Sequence, residues 1–250
     1  MSWFLLMPII FASSLVLTMV GLGGGLIVSP LFVLLSFPVS TAVSASLFLN
    51  GIAALSAAIT YFRKKMVDVQ VGVPLILASA LAAPLGALTT SRVNIKIFTA
   101  ILAGVIFLAS LRMLFSDKTE AAAEEVGTRR RVIGGGAIGL VIGFMAGLLG
   151  IGGGVFIVPL LIYILRVPTK IAAATSIFIV VFSSFSGFIT HVSLARADWN
   201  FILLAACFSF AGGQVGSRIM AEKLKGRTVQ RLFGIVLLAF ALKLIQRVWW

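Results

Sequence analysis

The sequence predicts an all-α polytopic membrane protein built from two inverted-topology repeats. Three features predict it: long uncharged stretches, a glycine signature that occurs twice, and loop cations concentrated on one side of the chain. Hydrophobic residues make up 60% of the 250 positions and charged residues only 11%. A soluble domain averages about 45–50% apolar and about 25% charged. Residues 1–62 contain no Asp, Glu, Lys or Arg, and 69–91, 132–165 and 171–195 are equally free of charge. A spanning helix needs about 20 mostly apolar residues, and one soluble core cannot bury so many runs of that length. The net charge of +13 does not point to nucleic acid. The basic residues sit in short clusters between apolar runs, as membrane loops do, so the partner they imply is the lipid bilayer.

Apolar segments fall at 4–20, 24–37, 41–62, 71–91 and 97–115, and again at 132–149, 152–166, 171–195, 199–221 and 229–250. Between the two sets lies a polar stretch, 116–131, with Asp117, Glu120, Glu124, Glu125 and then Arg129, Arg130 and Arg131. The predicted organisation is a first transmembrane repeat at 1–115, a cytoplasmic linker at 116–131 and a second transmembrane repeat at 132–250. Residues 1–20 lack a basic n-region and read as a retained first helix rather than a signal peptide. A single cysteine, Cys207, leaves no disulfide framework or cysteine metal site within one chain.

The two halves match residue by residue. Gly21-Leu22-Gly23-Gly24-Gly25 recurs as Gly150-Ile151-Gly152-Gly153-Gly154, and Pro30-Leu31 as Pro159-Leu160, at an offset of 129. One extra residue in the second loop makes the offset 130. Ala42, Ser46, Phe48, Ser56, Thr60 and Asp68 then match Ala172, Ser176, Phe178, Ser186, Thr190 and Asp198. Gly86 and Gly104 match Gly216 and Gly234.

Loop charge orients the chain. With the linker inside, 15 of the 20 Lys and Arg fall inside, against Arg92, Lys96, Arg196, Lys243 and Arg247 outside. Both termini are then exterior. An odd number of segments flanks the linker on each side, so the repeats are inverted, as in many secondary transporters. Segments 24–37 and 152–166 are short for about 30 Å of hydrocarbon. Each either spans or pairs with the preceding segment as a re-entrant hairpin with the glycines at its tip.

Consecutive glycines are poor helix formers and readily take positive φ, so each triplet is expected to break the helix and turn the chain. The freed N–H and C=O groups cannot face lipid; they must be buried in protein or line a watery cavity. The helix that follows points its unpaired N–H groups and positive dipole end back at the turn, an arrangement suited to an anion. Pro30 and Pro159 are expected near its first turn, where proline is tolerated. Close helix packing is the competing account of the glycines, although packing favours small residues spaced along one face. A nucleotide-binding loop is disfavoured, because no Lys-Ser/Thr follows the glycines.

The candidate substrate-binding residues are therefore Gly23, Gly24 and Gly25 with Gly152, Gly153 and Gly154. Ser46, Thr175 and Ser176 are hydroxyls placed either to bond substrate oxygens or to bond their own helix backbone. Asn50 is a carboxamide in an uncharged run, where it needs a partner, and its repeat counterpart is the apolar Val180. Gln214, beside Gly212, Gly213 and Gly216, is a pathway candidate. His191 is the only histidine, either a proton-sensitive group or an interfacial polar residue. No metal site or cofactor is implied.

The run Gly21-Leu22-Gly23-Gly24-Gly25-Leu26-Ile27-Val28, then Pro30-Leu31 and Ala42-x-x-x-Ser46-Leu47, resembles the signature of the TauE/SafE family of sulfite and organosulfonate exporters. The second copy, ending in Pro159-Leu160 and followed by Ala174-Thr175-Ser176, matches the pattern better. The first copy departs from it with Ser44-Ala45-Ser46 where Ala-Thr-Ser is commoner. The resemblance covers nearly the whole chain. It implies export of a small sulfur-containing anion, sulfite or an organosulfonate, across the cytoplasmic membrane. Ion-coupled uptake of a small anion, or channel-like uniport, fits the same architecture. An intramembrane enzyme would need a nucleophile–base pair or a metal cluster, and one His, one Cys and apolar segments without carboxylates argue against it.

Overall fold

The structure, a computed structural model, describes residues 6–89, 95–115, 127–149, 154–190 and 199–249. The described residues form helices and short connections: α1 (Leu6–Val20), α2 (Gly25–Leu34), α3 (Val39–Arg63), α4 (Val69–Thr89), α5 (Ile95–Phe115), α6 (Thr128–Leu149), α7 (Gly154–Tyr163), α8 (Thr169–Thr190), α9 (Trp199–Glu222) and α10 (Gly226–Trp249). One helix falls in each apolar segment of the sequence. Among the described residues, α3, α4, α8, α9 and α10 are each long and apolar enough to cross a bilayer. The chain is a multi-pass membrane protein. Of the polar stretch, 116–126 lies outside the described residues, and Arg129, Arg130 and Arg131 belong to the first turn of α6.

α2 and α7 have 10 residues each. At about 1.5 Å per residue each is roughly 15 Å long, half the hydrocarbon thickness, so neither spans alone. Pro30 and Pro159 are the sixth residues of these helices, not first-turn residues as expected from the spacing. A proline there lacks the N–H that would meet the carbonyl four residues back, on Leu26 and Val155. A left-handed residue follows each helix within three residues of its end, Ser36 (φ 64°) after α2 and Arg166 (φ 53°) after α7. In both connections a proline lies two residues further on, and its carbonyl accepts from the N–H of Ala42 or Ala172 at 2.9 Å.

The chain forms two compact units that each draw on both sequence halves. Unit 1 comprises Met1–Val67 and Ala173–Leu224. Here α9 lies parallel to α1. A Cβ on Gly212 would strike the Phe11 carbonyl, one on Gly216 would strike that of Leu15, and one on Gly213 would strike that of Ala53 on α3. Small residues at such contacts let helix backbones approach closely, a main source of attraction between helices in lipid. α2 doubles back along α1: Val28 and Phe32 share an apolar cluster with Leu6, Met7 and Ile10 at the start of α1, together with Ala45, Leu49, Phe201 and Ala205. α3 and α8 run antiparallel. Leu47 meets Gly187, Asn50 bonds Ser184, Gly51 meets Phe185, and Phe62 lies 5.2 Å from Phe178, ring centre to ring centre.

Unit 2 comprises Asp68–Ala172 and Lys225–Trp250. α4 and α6 lie parallel, with Gly135, Gly139 and Gly143 set against the backbone of Val71, Leu75 and Ser79. Gly134, Gly135 and Gly136 are therefore three consecutive glycines inside an unbroken helix. α7 returns toward the start of α6, so that Leu165 fills the space beside Gly134. At the same end Asp68 pairs with Arg131 at 3.1 Å, and the Arg112 guanidinium lies 4.7 Å from the centre of the Tyr163 ring.

Candidate functional site

α1 ends at Val20 because the next residues take backbone conformations that a helix cannot. Gly21 (φ 89°) and Gly23 (φ 75°) lie in the left-handed region, where an L-residue costs about 1–2 kcal/mol. The turn is buried from Gly21 to Gly24 and hemmed in on several sides. A Cβ on Gly21 would lie 2.8 Å from the Ala173 Cα, and one on Gly24 would lie 2.6 Å from the Ser14 Oγ. A Cβ on Gly23 would collide with the Asn50 Oδ1 and come within 3.0 Å of Val180. Asn50 and Val180, counterparts in the repeat, thus close on the same glycine.

Two hydrogen bonds tie the turn to its surroundings. The Ser176 hydroxyl donates to the Gly21 carbonyl at 2.7 Å. The Asn50 Nδ2 donates to the buried Ser184 hydroxyl at 2.7 Å. α2 begins at Gly25, so its first-turn N–H groups, which the helix itself leaves unused, and its positive dipole end face this turn. The half-buried Asn50 and the left-handed glycines thus bring carboxamide and main-chain polar groups together at one buried turn.

The other predicted residues divide. Ser176 is brought to the glycine turn, and Thr175 is fully buried beside it on α8. Ser46 is buried and donates to the Val43 carbonyl of its own helix at 2.9 Å. The Gln214 Oε1 lies 3.0 Å from the Ser56 hydroxyl, which also donates to the Phe210 carbonyl at 2.8 Å. Gly154 opens α7 in unit 2, whereas Gly152, Gly153 and His191 lie outside the described residues.

Sequence reasoning missed a buried set of hydroxyls beside the turn. Thr18 Oγ1 donates to the Ser14 carbonyl at 2.6 Å, Ser14 and Ser209 share a bond of 2.9 Å, and Ser209 donates to the Leu49 carbonyl at 2.9 Å. The Tyr61 hydroxyl donates to the Thr18 carbonyl at 3.0 Å. Ser14 and Thr18, four apart and so on one helix face, carried the available signal.

A family model described as sulfite exporter TauE/SafE matches residues 6–244. A probable membrane transporter protein of Bacillus subtilis, YunE, is 27% identical over 98% of both chains. A probable membrane transporter protein of Xylella fastidiosa is 30% identical over 84% of this chain and 78% of its own length. A second Bacillus subtilis relative, YdhB, also called a probable membrane transporter protein, is 22% identical over 86% of this chain and 89% of its own. No solved structure matches.

Proposed function

Since the chain belongs to the sulfite exporter TauE/SafE family, a family of membrane transporters, we propose that it is a secondary transporter exporting a small sulfur-containing anion, sulfite or an organosulfonate. The observation that carries this reading is the buried left-handed turn at Gly21–Gly24 with Asn50 against Gly23 and the start of α2 facing it. An oxyanion is a set of acceptors without donors, and main-chain N–H groups at a helix start suit it without a lysine or arginine. Gly23, Gly24, Gly25 and Asn50 contact the substrate. Ser176 holds the turn through the Gly21 carbonyl, and Gly154, which opens α7, belongs to the corresponding glycine signature of the second repeat. Export fits the energetics: about 100 mV, inside negative, favours anion efflux by about 2.3 kcal/mol per charge.

The repeats are inverted in this reading. Supporting it, the counterparts α3 and α8 run antiparallel, and the connections after α2 and α7 share their left-handed residue and proline. The pair α1 and α9 also corresponds in the repeat register to α6 and α4, and each pair packs parallel through glycines. α1 with α2, and α6 with α7, act as re-entrant pairs. The clustered cations Arg112, Arg129, Arg130 and Arg131 lie at the cytoplasmic end, and both termini are exterior.

Thermal melting of the purified protein against sulfite, sulfate, sulfoacetate, taurine and thiosulfate tests the substrate class. A true ligand at about 100 times its Kd stabilises by about 2.7 kcal/mol. Stabilisation by sulfite or a sulfonate, reduced in Asn50→Ala at the same concentration, is expected. No shift with any of the five, or an equal shift with chloride, contradicts the proposal.

A further inference from the structure

A second polar feature lies far in sequence from the glycine turn. The start of α6 and the connection after α7 border an open groove of about 560 Å³ lined by Arg129, Arg130, Ile133, Gly134, Ile164 and Leu165. Its lining is chiefly hydrocarbon, and Ile133 and Ile164 are more than half exposed at 60% and 53%. The arginine triplet divides its work. Arg131 is paired with Asp68. Arg129 and Arg130 are exposed and line the groove, and among the described residues no carboxylate pairs with either. Gly134 sets the floor: a side chain there would collide with Leu165, so its absence lets the connection after α7 come close to α6.

We propose that this groove is a binding site for one anionic phospholipid. Two guanidinium groups without a carboxylate partner among the described residues, beside exposed branched hydrocarbon, complement an amphiphile whose phosphate and acyl chain are joined within a few ångströms. Guanidinium binds a phosphodiester bidentately and is weakly hydrated, so it accepts such a headgroup better than an ammonium group would. The volume lies within the roughly 300–1,000 Å³ of small-molecule clefts. A basic cluster that served only to orient the chain would need neither a groove nor hydrocarbon between its cations. Basic pockets between transmembrane helices are a recurrent place for acidic headgroups. The bound lipid ties the α6 start to the connection after α7.

The test uses the full chain in nanodiscs of phosphatidylcholine alone or with phosphatidylglycerol, and native mass spectrometry of the protein released from them. One phosphatidylglycerol retained per chain is expected, with a melting temperature higher than in phosphatidylcholine. Arg129→Gln with Arg130→Gln is expected to lower retention about tenfold and to abolish the melting difference. Lys64→Gln with Lys65→Gln, the same loss of charge at residues that do not line the groove, is expected to change neither. If the double arginine variant does not accumulate, Arg129→Gln and Arg130→Gln singly, and Ile164→Ser, make the same comparison. Equal loss in the lysine variant, equal stabilisation of the protein in phosphatidylcholine by inorganic phosphate, or unaltered retention in all the groove variants overturns the proposal.

Discussion

The Asn50 carboxamide donates to the Ser184 hydroxyl at 2.7 Å, and with its nitrogen so engaged its oxygen lies against the Gly23 α-carbon. The side chain is thereby held between two helices and the glycine turn. Replacing Asn50 by Ala is expected to leave folding intact and to raise the half-saturating sulfite concentration about 10–100-fold, since a hydrogen bond to a charged group contributes about 1.5–3 kcal/mol. Ser184→Ala removes only the anchor, and a smaller rise is expected. Concentration dependence of flux distinguishes the two.

Gly23→Ala meets both a left-handed φ of 75° and the Asn50 oxygen. It is expected to destabilise by about 1–2 kcal/mol from the backbone alone and to lose most transport. Gly136 has open space around its α-carbon inside α6. Gly136→Ala is expected to be neutral or to stabilise by up to about 1 kcal/mol, because alanine is the better helix former. Melting temperatures of the two variants give opposite signs.

Gly143 faces the Ser79 backbone, with the Ser79 Cα only 2.5 Å from where its Cβ would lie. Gly143→Val forces α4 and α6 apart and is expected to reduce the yield of monodisperse protein severely. Loss of the folded fraction in size-exclusion chromatography, without any substrate present, separates this packing role from a transport role.

The two ion pairs differ in expected weight. Asp68 is only 9% exposed, and beyond Arg131 its other oxygen accepts the Val71 N–H at the start of α4. Asp68→Ala is expected to cost about 1–2 kcal/mol, chiefly through the lost cap. Lys64 and Glu222 are about half exposed at 46% and 52%. Lys64→Gln is expected to change stability far less than Asp68→Ala, and less still in high salt. Melting at low and high salt checks both.

The helices were legible because hydrophobic length decides them: α3, α4, α8, α9 and α10 answer to apolar runs long enough to span. The turn at Gly21–Gly24 was legible as a helix break. Consecutive glycines alone do not determine such a break, since Gly134, Gly135 and Gly136 stay helical. There the bare backbone of Gly135 packs on Val71 and that of Gly134 under Leu165, so tertiary contact overrides propensity. Ser46 and Ser176 look alike in the repeat, yet one bonds its own helix and the other the Gly21 carbonyl. That difference depends on which neighbour the helix meets, and local sequence does not encode it. The arginine triplet read as an orientation signal. Only the fold separates Arg131, paired to Asp68, from Arg129 and Arg130 in the groove.

Efflux from proteoliposomes loaded with sulfite or with an organosulfonate, under an imposed inside-negative potential, tests the central claim most directly. The account predicts that the wild-type chain and Gly136→Ala release sulfite or an organosulfonate faster as the potential grows, and that Gly24→Val, whose side chain would meet Ser14, releases none although it is inserted normally. Wild-type flux in Gly24→Val, or no flux of either anion through the wild-type chain, would contradict it.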